Sequence, residues 1–79
     1  MESLEKYGIN IELLGQNIND MKVGEGMRLS QIYSRWSDGS VISPTKAGKL
    51  FLNLVNNNMI PGIIHDSKDS SNHHIYIKN

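Results

Sequence analysis

Apolar residues recur at helical spacing over residues 2–21, separated by three and four positions. They are Leu4, Tyr7, Ile11, Leu14, Ile18 and Met21. Gly8 and Gly15 interrupt the series, because glycine is about 1 kcal/mol less favourable than alanine inside a helix. We therefore predict a short turn that ends at Gly8, followed by a helix that Asn10 caps and that runs to about Asp20. An alternation of apolar and polar residues over 9–13 leaves a short strand there as the alternative.

A second helical pattern covers 28–36 and follows a connector over 21–27. The connector contains two glycines within three residues, which disfavours a helix but leaves room for a short edge strand. The apolar positions of the second pattern are Leu29, Ile32, Tyr33 and Trp36. Asp38 and Gly39 then form a strong turn signal, so we predict that the helix ends before them.

The third helical pattern, over 43–58, has the best defined start. Ser43 is predicted to be the N-cap, with its hydroxyl accepting a hydrogen bond from the first turn, and Pro44 follows at the first helical position. The stripe of apolar positions is Ala47, Leu50, Phe51, Leu54 and Val55. The opposite side is polar and holds Thr45, Lys46, Lys49, Asn53 and Asn56. Three consecutive asparagines, 56–58, favour a left-handed residue that stops the helix.

A β-hairpin is predicted after this helix. Its first strand covers 62–66, a polar loop covers 67–72, and the second strand covers 73–78. The second strand alternates between apolar and polar residues, which predicts its two isoleucines on one face. The same alternation predicts Tyr76 on the opposite, outward face, as a packing residue and not as a stacking platform for nucleic acid.

The order helix, connector or short strand, helix, turn, helix and hairpin indicates a single α+β domain over 1–79. This order resembles the winged helix-turn-helix fold, which implies three helices and a C-terminal β-hairpin wing. In this resemblance Arg28–Trp36 is the supporting helix, Ser43–Asn57 the recognition helix and Gly62–Lys78 the wing.

The resemblance implies sequence-specific binding of double-stranded DNA by a small transcriptional regulator of bacterial, phage or mobile-element type. In such proteins the N-terminal part of the recognition helix enters the major groove. The candidate DNA-binding residues are Arg28, Ser43, Thr45, Lys46, Lys49, Asn53 and Lys68. Lysines neutralise phosphates or meet guanine edges, an asparagine pairs with adenine, and hydroxyls at a helix N-terminus hold a phosphate.

The formal net charge is zero, but the charges are unevenly distributed. Residues 1–26 carry five carboxylates and two lysines, whereas residues 27–79 carry six lysines or arginines and three carboxylates. A basic second part suits contact with phosphate. The zero net charge also favours an alternative, a protein–protein interaction module that acts as an inhibitor or adaptor on the same fold. The first apolar stripe suits either an intramolecular core or a homodimer seam.

Catalysis is not expected, since the chain has no cysteine nucleophile, no phosphate-cradling loop and no HExxH motif. We expect no cofactor and no metal. His65, His73 and His74 could converge with Asp66 as metal ligands, but histidines near a polar hairpin tip usually face solvent. No apolar run approaches the roughly 18 residues of a membrane span, and the N-terminus does not resemble a signal peptide. The expected location is the cytoplasm, where a cysteine-free chain suits the reducing conditions.

Overall fold

Three antiparallel strands form one sheet, which shares its core with the helices. The computed structural model describes residues 3–79, and residue 2, where the first predicted pattern begins, lies outside them. The elements are a 3₁₀ turn at Leu4–Tyr7, α1 at Ile11–Asp20, β1 at Gly26–Arg28, α2 at Leu29–Ile32, α3 at Pro44–Asn56, β2 at Ile63–Lys68 and β3 at His74–Lys78. The radius of gyration, 11.6 Å, matches the value of about 12 Å expected for one domain of this length. The predicted α+β class, with three α-helices in the described residues and a C-terminal hairpin, is confirmed.

The N-terminal part follows the prediction. Gly8 ends the 3₁₀ turn in the left-handed conformation, at a φ of 80°, which glycine adopts without steric cost. Asn10 caps α1, and its side-chain oxygen accepts a hydrogen bond from the backbone N–H of Leu13 at 3.1 Å. Of the predicted apolar stripe only Ile11 is largely exposed, because α1 begins there and Ile9 takes the buried position instead. The alternative of a short strand in this segment is wrong.

The second helix is shorter than predicted, because α2 ends at Ile32 and not at Trp36. Tyr33 leaves the helical conformation, with φ −91° and ψ 103°, and its side chain is buried. Its hydroxyl accepts a hydrogen bond from the backbone N–H of Asn10 at 2.9 Å. The side-chain amide of Asn17 donates to the Ile32 carbonyl at 2.9 Å, which satisfies a carbonyl at the end of the helix. These tertiary hydrogen bonds outweigh the helical pattern, and the chain continues in turns.

The strand order is β1-β3-β2, with β3 in the centre and both pairings antiparallel. The end of the glycine-containing connector thus supplies an edge strand, which the sequence left open as a possibility. A bulge between His65 and Ser67 adds one residue to β2 and shifts its pairing with β3. The hairpin loop, defined as residues 69–73, follows β2. The predicted faces of β3 are wrong, since Tyr76 points into the core and the isoleucines beside it are only half-buried.

Helix α3 packs on the sheet through its apolar stripe. Ala47, Phe51 and Val55 are buried. The Phe51 ring meets the Tyr76 ring edge to face, with 4.8 Å between the ring centroids. This contact gives a physical reason for the inward position of Tyr76, because its large ring fills the space above α3 and its removal from water is favourable.

The two ends of α3 follow the sequence to different degrees. Pro44 occupies the first helical position, as predicted. Ser43 precedes it but adopts a left-handed conformation, with a φ of 49°, and its hydroxyl makes no capping hydrogen bond. The predicted capping interaction is therefore wrong, because a capping side chain requires the extended backbone that Ser43 lacks. At the other end Asn58 is left-handed, with a φ of 58°, as the run of asparagines predicts.

Candidate functional site

The outward face of α3 carries the polar residues that the sequence places there. Thr45, Lys46, Lys49 and Asn53 are all exposed. Neither lysine forms an ion pair with another group in residues 3–79. This face of α3 therefore presents two uncompensated positive charges together with hydrogen-bonding groups.

Part of this face borders an open depression of about 540 Å³, which we call the cationic depression. Its lining residues are Lys6, Tyr7, Ile42, Ser43, Lys46, Lys49, Leu50 and Asn53. Four of the seven predicted DNA-binding residues therefore lie around one concave surface. Among the residues that the structure describes, three lysines and no carboxylate line it. Two of these lysines, Lys46 and Lys49, have no ion-pair partner in that part of the chain, so the local field of α3 attracts anions.

Lys6 belongs to this depression although sequence reasoning did not find it. The backbone N–H of Ile42 donates to the Tyr7 carbonyl at 2.7 Å, which ties the N-terminal 3₁₀ turn to the segment before α3. Gly8 lies so close to the Ser40 carbonyl that a side chain at this position would clash with it. These two contacts place Lys6 beside α3. The local sequence carries no signal of this arrangement, because Lys6 lies in the mainly acidic part of the chain.

A second depression, of about 390 Å³, lies between α3 and the hairpin. We call it the hairpin depression, and its polar and aromatic lining residues are Arg28, Ser30, Trp36, Thr45, Lys49, Asn72, His73, His74 and Tyr76. No carboxylate lines this depression in the described part of the chain. Lys49 lines both depressions, so it occupies the centre of the surface that α3 presents.

Arg28 is engaged with the hairpin loop. Its guanidinium contacts Oδ2 of Asp69 through Nε at 2.8 Å and through the second terminal nitrogen at 2.6 Å. Oδ1 of the same carboxylate accepts from the backbone N–H groups of Ser71 and His73, at 2.9 and 3.0 Å. The His73 N–H, then the Ser71 N–H and Arg28, hold the pKa of Asp69 below its usual range. A phosphate that bound Arg28 would have to compete with Asp69 for it.

Lys68 lies apart from the other predicted DNA-binding residues. It is the last residue of β2, it is exposed, and it pairs in register with His74 on β3. It lines neither the cationic depression nor the hairpin depression. The fold thus brings six of the seven predicted residues to the two depressions around α3 and leaves Lys68 on the hairpin.

Two of the three histidines meet on the hairpin. His65 on β2 and His74 on β3 are half-buried, and Nε2 of His65 lies 3.0 Å from Nδ1 of His74. Burial, then the nearby His65 and Lys68, lowers the pKa of His74. His73 is exposed, with its Nδ1 3.8 Å from Oδ1 of Asp69. The expectation of solvent-facing histidines is therefore wrong for the His65–His74 pair. In residues 3–79 no three or more His, Cys, Asp or Glu residues gather as a metal site.

A third depression, of about 450 Å³, is apolar and shares no lining residue with the other two. We call it the apolar depression, and its lining residues are Ser3, Leu4, Ile11, Leu14, Gly15, Ile18, Asn19, Leu54, Met59, Ile60 and Pro61. Ile11 and Met59 at this surface are 44% and 58% exposed.

None of the helices in the described residues has the length and apolar character needed to cross a bilayer.

Comparison with known proteins assigns the chain to a family. No match was found among curated proteins or among solved structures. Residues 14–78 match a family described as a domain of unknown function, DUF1413. The matched region runs from within α1 to the end of β3, so it contains α3, the hairpin and every predicted DNA-binding residue, whereas Lys6 precedes it. Because the match covers most of the chain, the protein belongs to the DUF1413 family.

Proposed function

We propose that this protein binds double-stranded DNA with the outward face of α3, in the manner of a winged helix. The observation that carries the proposal is the lining of the cationic and hairpin depressions. Both border α3, and within residues 3–79 both are lined by basic side chains and by no carboxylate. The element order supports the proposal, since α2, α3 and the β2–β3 hairpin follow one another as a supporting helix, a recognition helix and a wing do.

Helix α3 enters the major groove with its N-terminal end leading in this arrangement. Lys46 and Lys49 neutralise phosphates or donate to guanine edges, and Asn53, one helical turn after Lys49, forms two hydrogen bonds with adenine. The hydroxyls of Ser43 and Thr45 lie at the positive end of the helix dipole, where they hold a backbone phosphate. Since the Ser43 hydroxyl makes no capping hydrogen bond, it is available for such a contact.

Phosphate contacts supply most of the affinity in this proposal. Lys6 adds a positive charge beside α3, and Lys68 offers a separate contact from the hairpin. Arg28 contributes less, because its guanidinium already bonds Asp69. As part of this proposal, the protein acts in the cytoplasm as a transcriptional regulator of bacterial, phage or mobile-element type.

Fluorescence anisotropy with a labelled random-sequence duplex tests the proposal. Binding is measured from about 50 to 200 mM salt, where the logarithm of the binding constant falls linearly with the logarithm of salt concentration. We expect Lys49→Ala to flatten this slope by about one, because one phosphate contact is lost. Lys22→Ala is the matched control, since it removes the same charge from an exposed residue that lines neither depression.

Two results would overturn the proposal. One is the lack of measurable binding at about 50 mM salt, because even non-specific DNA-binding proteins bind with dissociation constants of about 10⁻⁴–10⁻⁶ M at physiological salt. The other is an equal change of slope for Lys49→Ala and Lys22→Ala, which would show that net charge and not the surface of α3 sets the salt dependence.

A second candidate function, protein–protein interaction, is favoured by the apolar depression. Its exposed Ile11 and Met59 offer apolar area next to a helix face whose Gly15 carries no side chain. Exposed apolar patches of this kind mark interaction surfaces in many proteins. Sedimentation of the wild type and of Met59→Glu tests the homodimer form of this candidate. A dimer that the substitution dissociates, together with no DNA binding, would favour protein interaction over the first candidate.

A further inference from the structure

The two inward-facing histidines of the hairpin are held in a fixed mutual arrangement. His65 pairs in register with Tyr76, and His74 precedes Tyr76 by two residues, so the two histidines are diagonal neighbours on one face of the sheet. Their ring centroids are 5.0 Å apart, and the Tyr76 ring lies 5.7 Å from that of His65. The strand pairing and the buried Tyr76 therefore orient both imidazoles before any ligand arrives.

We propose that His65 and His74 form a two-histidine site for a divalent transition-metal ion, with Cu²⁺ preferred. Nε2 of His65 and Nδ1 of His74 are 3.0 Å apart. A metal ion at about 2.0–2.1 Å from both nitrogens would subtend an angle of about 91–97° between them. This angle is close to the right angle of adjacent ligands in square-planar or octahedral coordination and narrower than the tetrahedral angle. It therefore favours Cu²⁺ or Ni²⁺ over Zn²⁺, and Cu²⁺ binds nitrogen ligands more tightly than Ni²⁺.

The surroundings of the pair suit the neutral form that binds metal. Metal ligation requires unprotonated imidazole nitrogens, and both the partial burial of His74 and the neighbouring Lys68 favour the neutral ring. In the absence of metal one of the two nitrogens donates its proton to the other. When the ion binds, that proton moves to the other nitrogen of the same ring, so both imidazoles stay neutral and both facing nitrogens become ligands. The proposal does not depend on DNA binding, because it concerns only the hairpin.

The coordination is incomplete on the protein side. Among residues 3–79 no further His, Cys, Asp or Glu joins the pair in a metal-binding group, so water supplies the remaining ligands. The Asp66 carboxylate accepts a hydrogen bond from the Ser67 hydroxyl at 2.9 Å, and His73 lies beside Asp69. Lys68, in register with His74, opposes a bound cation. We therefore expect moderate affinity, with the preference for Cu²⁺ set by the two imidazoles.

Calorimetric titration of the untagged protein with CuCl₂ at pH 7, in a non-coordinating buffer, tests the site. We expect one Cu²⁺ per chain, and electron paramagnetic resonance should show equatorial nitrogen ligands. His65→Gln and His74→Gln should each lower the Cu²⁺ affinity by at least about 10-fold. His73→Gln is the matched control, because it removes a histidine from the same hairpin without touching the pair, and its affinity should equal that of the wild type.

Two further measurements keep the test decisive if a variant folds poorly. In the wild type, free Cu²⁺ at about 100 times the dissociation constant should raise the melting temperature by about 11–22 °C, and EDTA should reverse the shift. Substoichiometric Cu²⁺ should broaden the backbone amide NMR signals of β2 and β3 around the two histidines first. Broadening centred elsewhere, or an affinity that falls equally in His73→Gln, would overturn the proposal.

Discussion

Helix α3 and the β2–β3 hairpin hold their polar groups in opposite ways. On α3 the exposed cations Lys46 and Lys49 have no ion-pair partner in residues 3–79. On the hairpin most of the polar groups of the loop are engaged, since Asp69 bonds two loop amides and Arg28 of the neighbouring β1 while the inward histidines contact each other, whereas Lys68 is exposed like the lysines of α3. The helix thus presents unsatisfied charge to a ligand, whereas the hairpin uses its charges to fix its own loop.

This difference distinguishes the role of α3 from that of the hairpin, whereas the resemblance to a winged helix assigns DNA contact to both. A charged group suits a recognition surface when it contacts only water in the free protein, because binding phosphate then breaks no bond within the protein. The lysines of α3 are of this kind. A loop whose charged groups already pair must lose those bonds before it binds phosphate, so its net gain is smaller. We therefore expect α3 to dominate anion binding and the hairpin to act mainly as a preorganised support.

The largest expected effect comes from breaking the junction between the two regions. Phe51→Ala removes a fully buried ring that meets Tyr76 at 4.8 Å, and it should lower the free energy of unfolding by about 3–5 kcal/mol. Urea denaturation followed by circular dichroism measures this loss. Leu52→Ala, at a half-buried position of the same helix, is the control and should cost less. Equal losses would mean that the Phe51–Tyr76 contact does not join helix and sheet.

The second largest expected effect comes from substituting Gly8, which contacts the segment before α3 and not the hairpin. Gly8 and Gly24 have similar positive φ angles, 80° and 87°, but only Gly8 faces a backbone carbonyl, that of Ser40. Gly24→Ala should cost about 1–2 kcal/mol, the penalty of a left-handed alanine. Gly8→Ala should cost more, because its new side chain also displaces the Ser40 segment. The difference between the two urea denaturation midpoints measures the clash, and equal midpoints would contradict it.

The sequence predicts α3 better than the hairpin, for a physical reason. The start of α3 is defined locally by Pro44, and its buried stripe follows from helical spacing. The inward face of β3 depends on the packing of Tyr76 against the Phe51 ring, which the sequence of β3 does not reveal. The early end of α2 likewise depends on an amide of Asn17, 15 residues away from the carbonyl of Ile32.

In the candidate site, too, the sequence predicts what local spacing determines and not what distant contacts determine. The cations of α3 could be predicted because they share one helix face. Lys6 could not, because a backbone hydrogen bond between Ile42 and Tyr7 brings a distant turn to that face. The sequence leaves the convergence of His65 and His74 as a possibility and does not establish it, because the bulge hides the register that joins the two residues.

A third prediction compares the charges of the two regions directly. Arg28→Ala should leave the salt dependence of DNA binding almost unchanged, whereas Lys49→Ala should flatten it by about one. Arg28→Ala should instead lower the free energy of unfolding by about 0.2–1 kcal/mol, because the ion pair with Asp69 is partly exposed. Anisotropy titrations and urea denaturation of both variants check the two effects. A flattening by Arg28→Ala as large as that by Lys49→Ala would place Arg28, on β1 beside the hairpin loop, in the recognition surface.

The smallest expected effect is the pH dependence of the hairpin loop. Hydrogen bonds from the His73 and Ser71 amides, together with Arg28, lower the pKa of Asp69 from its ordinary value of 3.8. A carboxyl whose pKa is lower in the folded protein stabilises the fold above the unfolded pKa and loses this contribution as the pH falls through the folded pKa. The melting temperatures of the wild type and Asp69→Asn should therefore differ at pH 5 and converge below pH 3.8. Asp66→Asn, in the same hairpin but without a bond to Arg28, controls for general charge removal. If the melting temperatures of the wild type and Asp69→Asn differ by the same amount down to pH 2, the ionised carboxylate does not order the loop. The contact between His65 and His74 would then be the remaining evidence that the polar groups of the hairpin, unlike those of α3, bond one another.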